Sequence, residues 1–233
     1  SGKTWSEPVS LPSGVSHVSV RQGIVLSSGA WLFPVYWQDV LSHWDWIAEP
    51  IHNGFQMAWP TRCGVIITND CGNHFTLHGD LRADNLLFEN NVIEVEPGHL
   101  VMLIRAHYAG CLYRSDSYDA GVTWTEARPT TIENPSSKLS LTKVRSSIIL
   151  VHNPSLPADL AKPTMADRTP LSVWVSHDGM HSWARKIDLA PTGKKAFYPH
   201  VFADDNSETL FIACEDGKKH YLLKLPYADL MSC

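Results

Sequence analysis

An eight-residue pattern recurs along this chain, and it limits the possible folds more than any other feature. The clearest copy is Ser117-Tyr118-Asp119-Ala120-Gly121-Val122-Thr123-Trp124, which reads Ser-x-Asp-x-Gly-x-Thr-Trp. A second copy runs from Ser176 to Trp183 and keeps Ser, Asp and Trp, with Met180 where the glycine is expected. A third, Thr68 to Phe75, ends on Phe. The closing aromatics at 75, 124 and 183 are separated by 49 and 59 residues, close to the ~40 to 50 residues of a four-stranded propeller blade. Turn chemistry explains the pattern: Asp accepts from backbone N–H groups, Gly takes a positive φ without steric cost, and the aromatic folds back over the hairpin. The box aspartates are therefore read as structural. Repeated catalytic carboxylates or metal ligands would require the same site several times over.

Ser1-Gly2-Lys3-Thr4-Trp5 is the second half of a fourth copy. The sequence thus begins mid-motif and is expected to be the C-terminal piece of a longer protein, lacking about the first blade. At about 45 residues per blade, 233 residues supply four to five blades. The expected fold is all-β, a propeller of four-stranded blades occupying residues 1–233 as one N-terminally incomplete unit, six-bladed when complete. Strands are expected at 23–26, 31–36, 64–68, 91–95, 99–105, 110–115, 147–152, 171–176, 198–203 and 209–214, each rich in Val, Ile, Leu, Tyr or Trp. Loops rich in Pro, Asn, Ser and Gly separate them, as at 133–138 and 154–170.

Composition narrows the partners. Hydrophobic residues at 44% and charged residues at 18% describe a folded chain. Lys+Arg of 19 against Asp+Glu of 24 leaves no basic field for a phosphate backbone, so nucleic acid is not an expected partner. Apolar runs such as Val101 to Ile104 are strand-sized, which argues against a membrane span. The cysteines at 63, 71, 111, 214 and 233 form no C-x-x-C pair, and neither a metal nor another cofactor is implied.

Boxes of this type at blade spacing resemble those of the sialidase (neuraminidase) superfamily, where they join the two outermost strands of each blade. The likeness covers nearly the whole chain. The run from Glu89 to Arg105 is similar to the family segment that opens with a glutamate and closes with an arginine. Val151-His152-Asn153-Pro154, then Arg168-Thr169-Pro170-Leu171, then the box at Ser176 resemble the segment carrying the next arginine. Ala196-Phe197-Tyr198-Pro199-His200, followed by Asp204-Asp205, resembles the segment with the catalytic tyrosine. The resemblance implies Tyr198 as nucleophile, Glu89 as its base, and Arg105 with Arg168 holding a substrate carboxylate. It also implies that the general acid and a third arginine lie upstream, so that this sequence alone is not catalytically competent. A general acid contributes on the order of 10² to 10⁴ in rate.

The chemistry suits those residue types. Sialic acid carries its carboxylate on the anomeric carbon, so an anionic nucleophile would approach against like charge. Neutral tyrosine avoids this, but its ordinary pKa near ~10 calls for a hydrogen-bonded base. Planar guanidinium forks fix a carboxylate in orientation as well as charge. Tyrosine nucleophiles are a recognised departure from the two-carboxylate rule of glycosidases. The implied activity is retaining hydrolysis of terminal sialic acid, or a similar acidic sugar, from a glycan; the expected location is secreted or periplasmic.

Departures keep other readings open. Pro199-His200 follows Tyr198, where sialidases usually place a small hydroxyl residue. Twelve His, including His107, His152 and His200, exceed what a carboxylate clamp needs. A Tyr198/His200 pair is the proton-transfer chemistry of a propeller lyase, or a related α-L-rhamnosidase-like enzyme, acting on uronate glycans. A non-catalytic carbohydrate-binding propeller is the third reading. Trp31, Trp37, Trp44, Trp46 and Trp59 surround the 38–53 loop, where they fit sugar stacking and a hairpin core equally well.

Overall fold

The computed structural model describes residues 3–5, 7, 16–38, 61–190 and 194–231. These form four antiparallel sheets arranged as successive propeller blades. The first contains β1 (Ser16–Val20), β2 (Ile24–Val25), β3 (Trp31–Gln38), β4 (Thr61–Thr68) and β5 (Thr76–Leu81), ordered β1-β3-β4-β5 with β2 also on β3. Both β1 and β2 pair with β3 and together act as one first strand, interrupted at residues 21–23. The second contains β6 (Leu87–Glu96), β7 (His99–Ala106), β8 (Cys111–Ser117) and β9 (Arg128–Glu133) in chain order. The third contains β10 (Ser140–Val144), β11 (Ser147–His152), β12 (Leu171–Ser176) and β13 (Arg185–Ala190). The fourth contains β14 (Phe197–Asp204), β15 (Thr209–Glu215) and β16 (His220–Pro226), followed by the short helix α1 (Tyr227–Met231).

The apolar cores lie between blades, which explains why the central strands read as unbroken apolar runs. Along β7, Leu100, Met102 and Ile104 join Leu32, Val65 and Ile67 of the first blade. The alternate residues Val101 and Leu103 join Leu141, Ile148 and Leu150 of the third. On β11 the other face, Ile149 and Val151, meets Val201 and Ile212 of the fourth. With period-two side chains and a neighbour on each face, both faces must be apolar. The first strands form the inner ring: β6 packs on β3 and β10, and β10 packs on β14.

The boxes join the third and fourth strands: β4 to β5, β8 to β9 and β12 to β13. In the central copy Asp119 accepts from Thr123 N at 2.8 Å and Thr123 Oγ1 at 2.6 Å. Ser117 Oγ donates to Asp119 at 2.8 Å and accepts from Gly121 N at 2.8 Å. The Trp124 indole closes the turn on the Gly121 carbonyl at 2.9 Å. The other copies repeat the scheme through Thr68/Asp70 and Ser176/Asp178. Met180 adopts φ 67, so the third turn keeps its left-handed residue without a glycine at that place. Gly121, at φ 94, shows why the central copy has one: a Cβ there would stand 3.1 Å from Leu32 and Ile67 in the next blade. The boxes thus lock blade to blade.

All ten expected strands lie on observed ones, with ends displaced by a few residues. The strands β1, β5, β9, β10, β13 and β16 went unread. Most are outer, half-solvated strands such as Arg185–Ala190, whose polar residues break up the apolar run. Trp37 is buried, with Val35 and Ile66, in a small cluster of the first blade; Trp44, Trp46 and Trp59 lie outside the described residues.

Candidate active site

Antiparallel pairing places the boxes at one end of the strands and every predicted site residue at the other. Arg105 stands at the C-terminal end of β7, where the fully buried Val101–Ile104 run carries it to the rim. Its Nη1 donates to Glu89 Oε2 at 2.6 Å, and its Nε donates to Ser136 Oγ at 3.1 Å. The guanidinium also lies 4.2 Å from the centroid of the Phe88 ring. Glu89 is inside β6 rather than before it. There the register with β7 shifts between Phe88 and Asn91, and Glu89 takes φ 48. A bulge of this kind re-aims one side chain out of the strand's alternation.

Arg168 comes from the connection between β11 and β12. A 3-10 turn over Met165–Asp167, boxed by Thr164 and Asp167, presents Arg168 as its C-terminal cap. The Asp167 carboxylate is occupied by Thr164 and Ala158. Arg168 Nη2 donates to the Ser136 carbonyl at 3.1 Å, while its Nε and Nη1 are buried and make no hydrogen bond among the described residues. The guanidinium carbon lies 5.0 Å from the Tyr198 ring and 5.4 Å from the Phe197 ring. Tyr198 sits at φ 55, in a register shift of β14 against β15 between Phe197 and His200.

The structure therefore brings Arg105 and Arg168 onto one residue, Ser136, with Glu89 bonded to Arg105, and sets Tyr198 under Arg168. Ser136, at φ 54, belongs to the polar stretch read from sequence only as a loop. His107 Nδ1 lies 2.7 Å from the same hydroxyl. Burial, then Arg105 and Arg168, lower the His107 pKa to about 4. The ring is thus neutral, and the Ser136 hydroxyl, already accepting from Arg105, donates to Nδ1. His200 is exposed; partial desolvation, and secondarily Lys138 and Arg21, push its pKa down. No hydrogen bond joins His200 to Tyr198 among the described residues.

Asn153 was also passed over, although it stood in a quoted segment. Fully buried, it accepts from Ser137 Oγ at 2.7 Å and donates to the carbonyls of Pro170 at 2.8 Å and Ala196 at 2.9 Å. It ties together the segments carrying Ser136, Arg168 and Tyr198. A buried asparagine beside a proline-rich loop is the signal that points to such a role.

The BNR repeat-like domain family matches residues 1–212. The chain belongs to that family. It is also 25% identical over 204 residues to a sialidase of Bacteroides fragilis, covering 81% of this chain and 32% of the relative. Among solved structures, the Hadza microbial sialidase Hz136 superposes with a TM-score of 0.72 at 20% identity, over 97% of this chain and 42% of that one. The intramolecular trans-sialidase of Ruminococcus gnavus, in complex with oseltamivir carboxylate, superposes with a TM-score of 0.63 at 16% identity, over 91% and 44%. The chain shares the sialidase propeller fold and spans less than half the length of these proteins. Among the described residues, no helix is long and apolar enough to cross a membrane.

Proposed function

We propose that this BNR-repeat chain carries the nucleophile side of a retaining exo-sialidase site acting on terminal sialic acid of a glycan. The observation that supports it best is the buried Arg168, with guanidinium nitrogens that have no hydrogen-bond partner, beside the buried Arg105. Burying guanidinium N–H groups without acceptors is costly, and a substrate carboxylate offsets that cost. In this reading Arg105 and Arg168 hold the carboxylate. Tyr198 Oη forms a bond to the anomeric carbon as the bond to the aglycone oxygen breaks, and the phenol proton passes to Glu89. Water then attacks the same carbon as the bond to Tyr198 breaks; the phenol recovers its proton from Glu89, and the water's proton passes to the group that protonated the aglycone. The departing aglycone oxygen takes its proton from a general acid distinct from these four residues.

The test is a fluorogenic sialoside with full-length protein, followed by mass spectrometry after treatment with a difluorinated sialic acid that slows release of the covalent intermediate. Release of sialic acid, and one added sugar on the peptide containing Tyr198, are expected; Tyr198→Phe abolishes both. Binding without turnover would instead indicate a carbohydrate-binding propeller. An unsaturated uronate product would indicate a lyase.

A further inference from the structure

The inner ring carries more positive charge than one carboxylate requires. Arg21 lies in the break between β1 and β2, with its N–H donated to the Pro34 carbonyl at 2.8 Å. The next residue, Gln22, reaches from the first blade to the fourth, its Nε2 donating to the Val201 carbonyl at 3.3 Å. Val201 N in turn donates to Ser140 Oγ of the third blade at 3.3 Å. Two hydrogen bonds thus draw together the inner strands of the first, third and fourth blades at the positions bearing Arg21, Lys138 and His200. None of these three takes part in an ion pair among the described residues. Glu89, the carboxylate that bears on Lys138, is already bonded to Arg105 at 2.6 Å.

We infer that Arg21, Lys138 and His200 form a second anion subsite beside the Arg105/Arg168 pair, which takes an acidic group, carboxylate or sulfate ester, on the sugar next to the reacting one. This deepens the sialidase reading and rests on it for the identity of the first sugar. Burial and the neighbouring Arg21 lower the Lys138 pKa to about 8, against a raising influence from Glu89. That is the behaviour of a half-desolvated ammonium with uncompensated positive charge nearby. An anion placed there restores the balance. His200, neutral and exposed, supplies a ring hydrogen-bond donor at the rim.

Calorimetry on the whole chain tests this with 3′-sialyllactose, α2,8-linked disialic acid and sialyllactose sulfated on the galactose. Wild type is expected to bind at least one doubly charged ligand about tenfold tighter than 3′-sialyllactose, in line with one added charge-assisted hydrogen bond. Which ligand gains tells carboxylate from sulfate. Lys138→Met should remove the gain and leave 3′-sialyllactose within about twofold, with unchanged thermal stability as the folding control. Equal losses on all three ligands, or no gain in wild type, overturn the subsite and leave the sialidase reading intact. If wild type binds no sialoside, the sialidase reading fails, and inorganic sulfate decides the subsite alone. About tenfold weaker sulfate binding by Lys138→Met sustains it, and equal binding ends it.

Discussion

Replacing His152 with leucine should make the fold less sensitive to acid. His152 is fully buried on β11, meets Trp174 edge-on at 4.6 Å between centroids, and leaves both ring nitrogens without a hydrogen-bond partner. Burial, and secondarily Lys186, lower its pKa from 6.5 to about 3. The folded value lies below the unfolded one, so between these pH values the unfolded chain binds the extra proton. Stability is therefore full above about pH 6.5 and falls as pH drops toward 3. Taking these two values, linkage gives a loss of about 2 kcal/mol between pH 8 and pH 5 from this one ring. At about 2 to 4 °C per kcal/mol for a chain of this size, that is roughly 4 to 8 °C in Tm. Urea and thermal unfolding of wild type and His152→Leu at both pH values measure it. The variant should lose about 2 kcal/mol less than wild type, while His107, lowered to about 4, keeps its own share of the acid loss in both proteins. If the two proteins lose the same stability from pH 8 to pH 5, His152 is not held neutral by burial, and the account fails.

Other consequences are equally direct. Ser117→Ala removes the buried hydroxyl that serves Asp119 and Gly121 N, and should cost about 1 to 3 kcal/mol in urea unfolding. Asn153→Ala strands the carbonyls of Pro170 and Ala196 and the Ser137 hydroxyl, so it should cost at least as much and, on the proposed sialidase reading, reduce sialoside turnover through displaced Arg168 and Tyr198. Arg168→Met should separate stability from binding: Tm holds or rises because a buried guanidinium with two unbonded nitrogens is gone, while, on the proposed sialidase reading, sialic acid binding falls at least tenfold in calorimetry. A drop in Tm together with unchanged binding would remove Arg168 from the site.

The propeller was legible because its locks are local. Ser, Asp, Gly and Trp of a box interact within eight residues, so spacing alone reveals the repeat. Central strands were legible for a related reason, since a neighbour on either face makes both parities apolar. Outer strands such as Thr76–Leu81 have one solvated face and a glycine within them, and their sequence does not set them apart from loops. Arg105 bonds Glu89 and shares Ser136 with Arg168, and nothing in the sequence marks Ser136 as that shared residue. Ser136 earns its position through a left-handed backbone and contacts from residues 29 to 32 positions away. Nothing in a stretch of Asn, Pro and Ser announces that. Arg21 and Lys138 carry no sequence signal either, because what relates them is contact across blades, such as the hydrogen bond from Gln22 to the Val201 carbonyl.

Glu89, Ser136 and Tyr198 share a geometry that connects architecture to chemistry. They stand on or just before the first strands of consecutive blades, each with φ between 48 and 55, a conformation that costs a non-glycine residue about 1 to 3 kcal/mol. Regular alternation offers each inner-strand side chain only two directions, and both lead into the packed layers between blades, where a charge or an unpaired hydroxyl is penalised. An extra residue in the ladder, as at Phe88/Asn91 and Phe197/His200, opens a third direction. Three strained positions at one end of the ring can persist only if the other end fixes the blades firmly. The boxes do this: the hydrogen-bonded turn around Gly121 seats on Leu32 and Ile67 of the neighbouring blade. Loosening a box should therefore release strain at the opposite rim, so Ser117→Ala is expected to weaken sialoside binding on the proposed reading as well as stability, although Ser117 and Arg105 lie at opposite ends of the second blade.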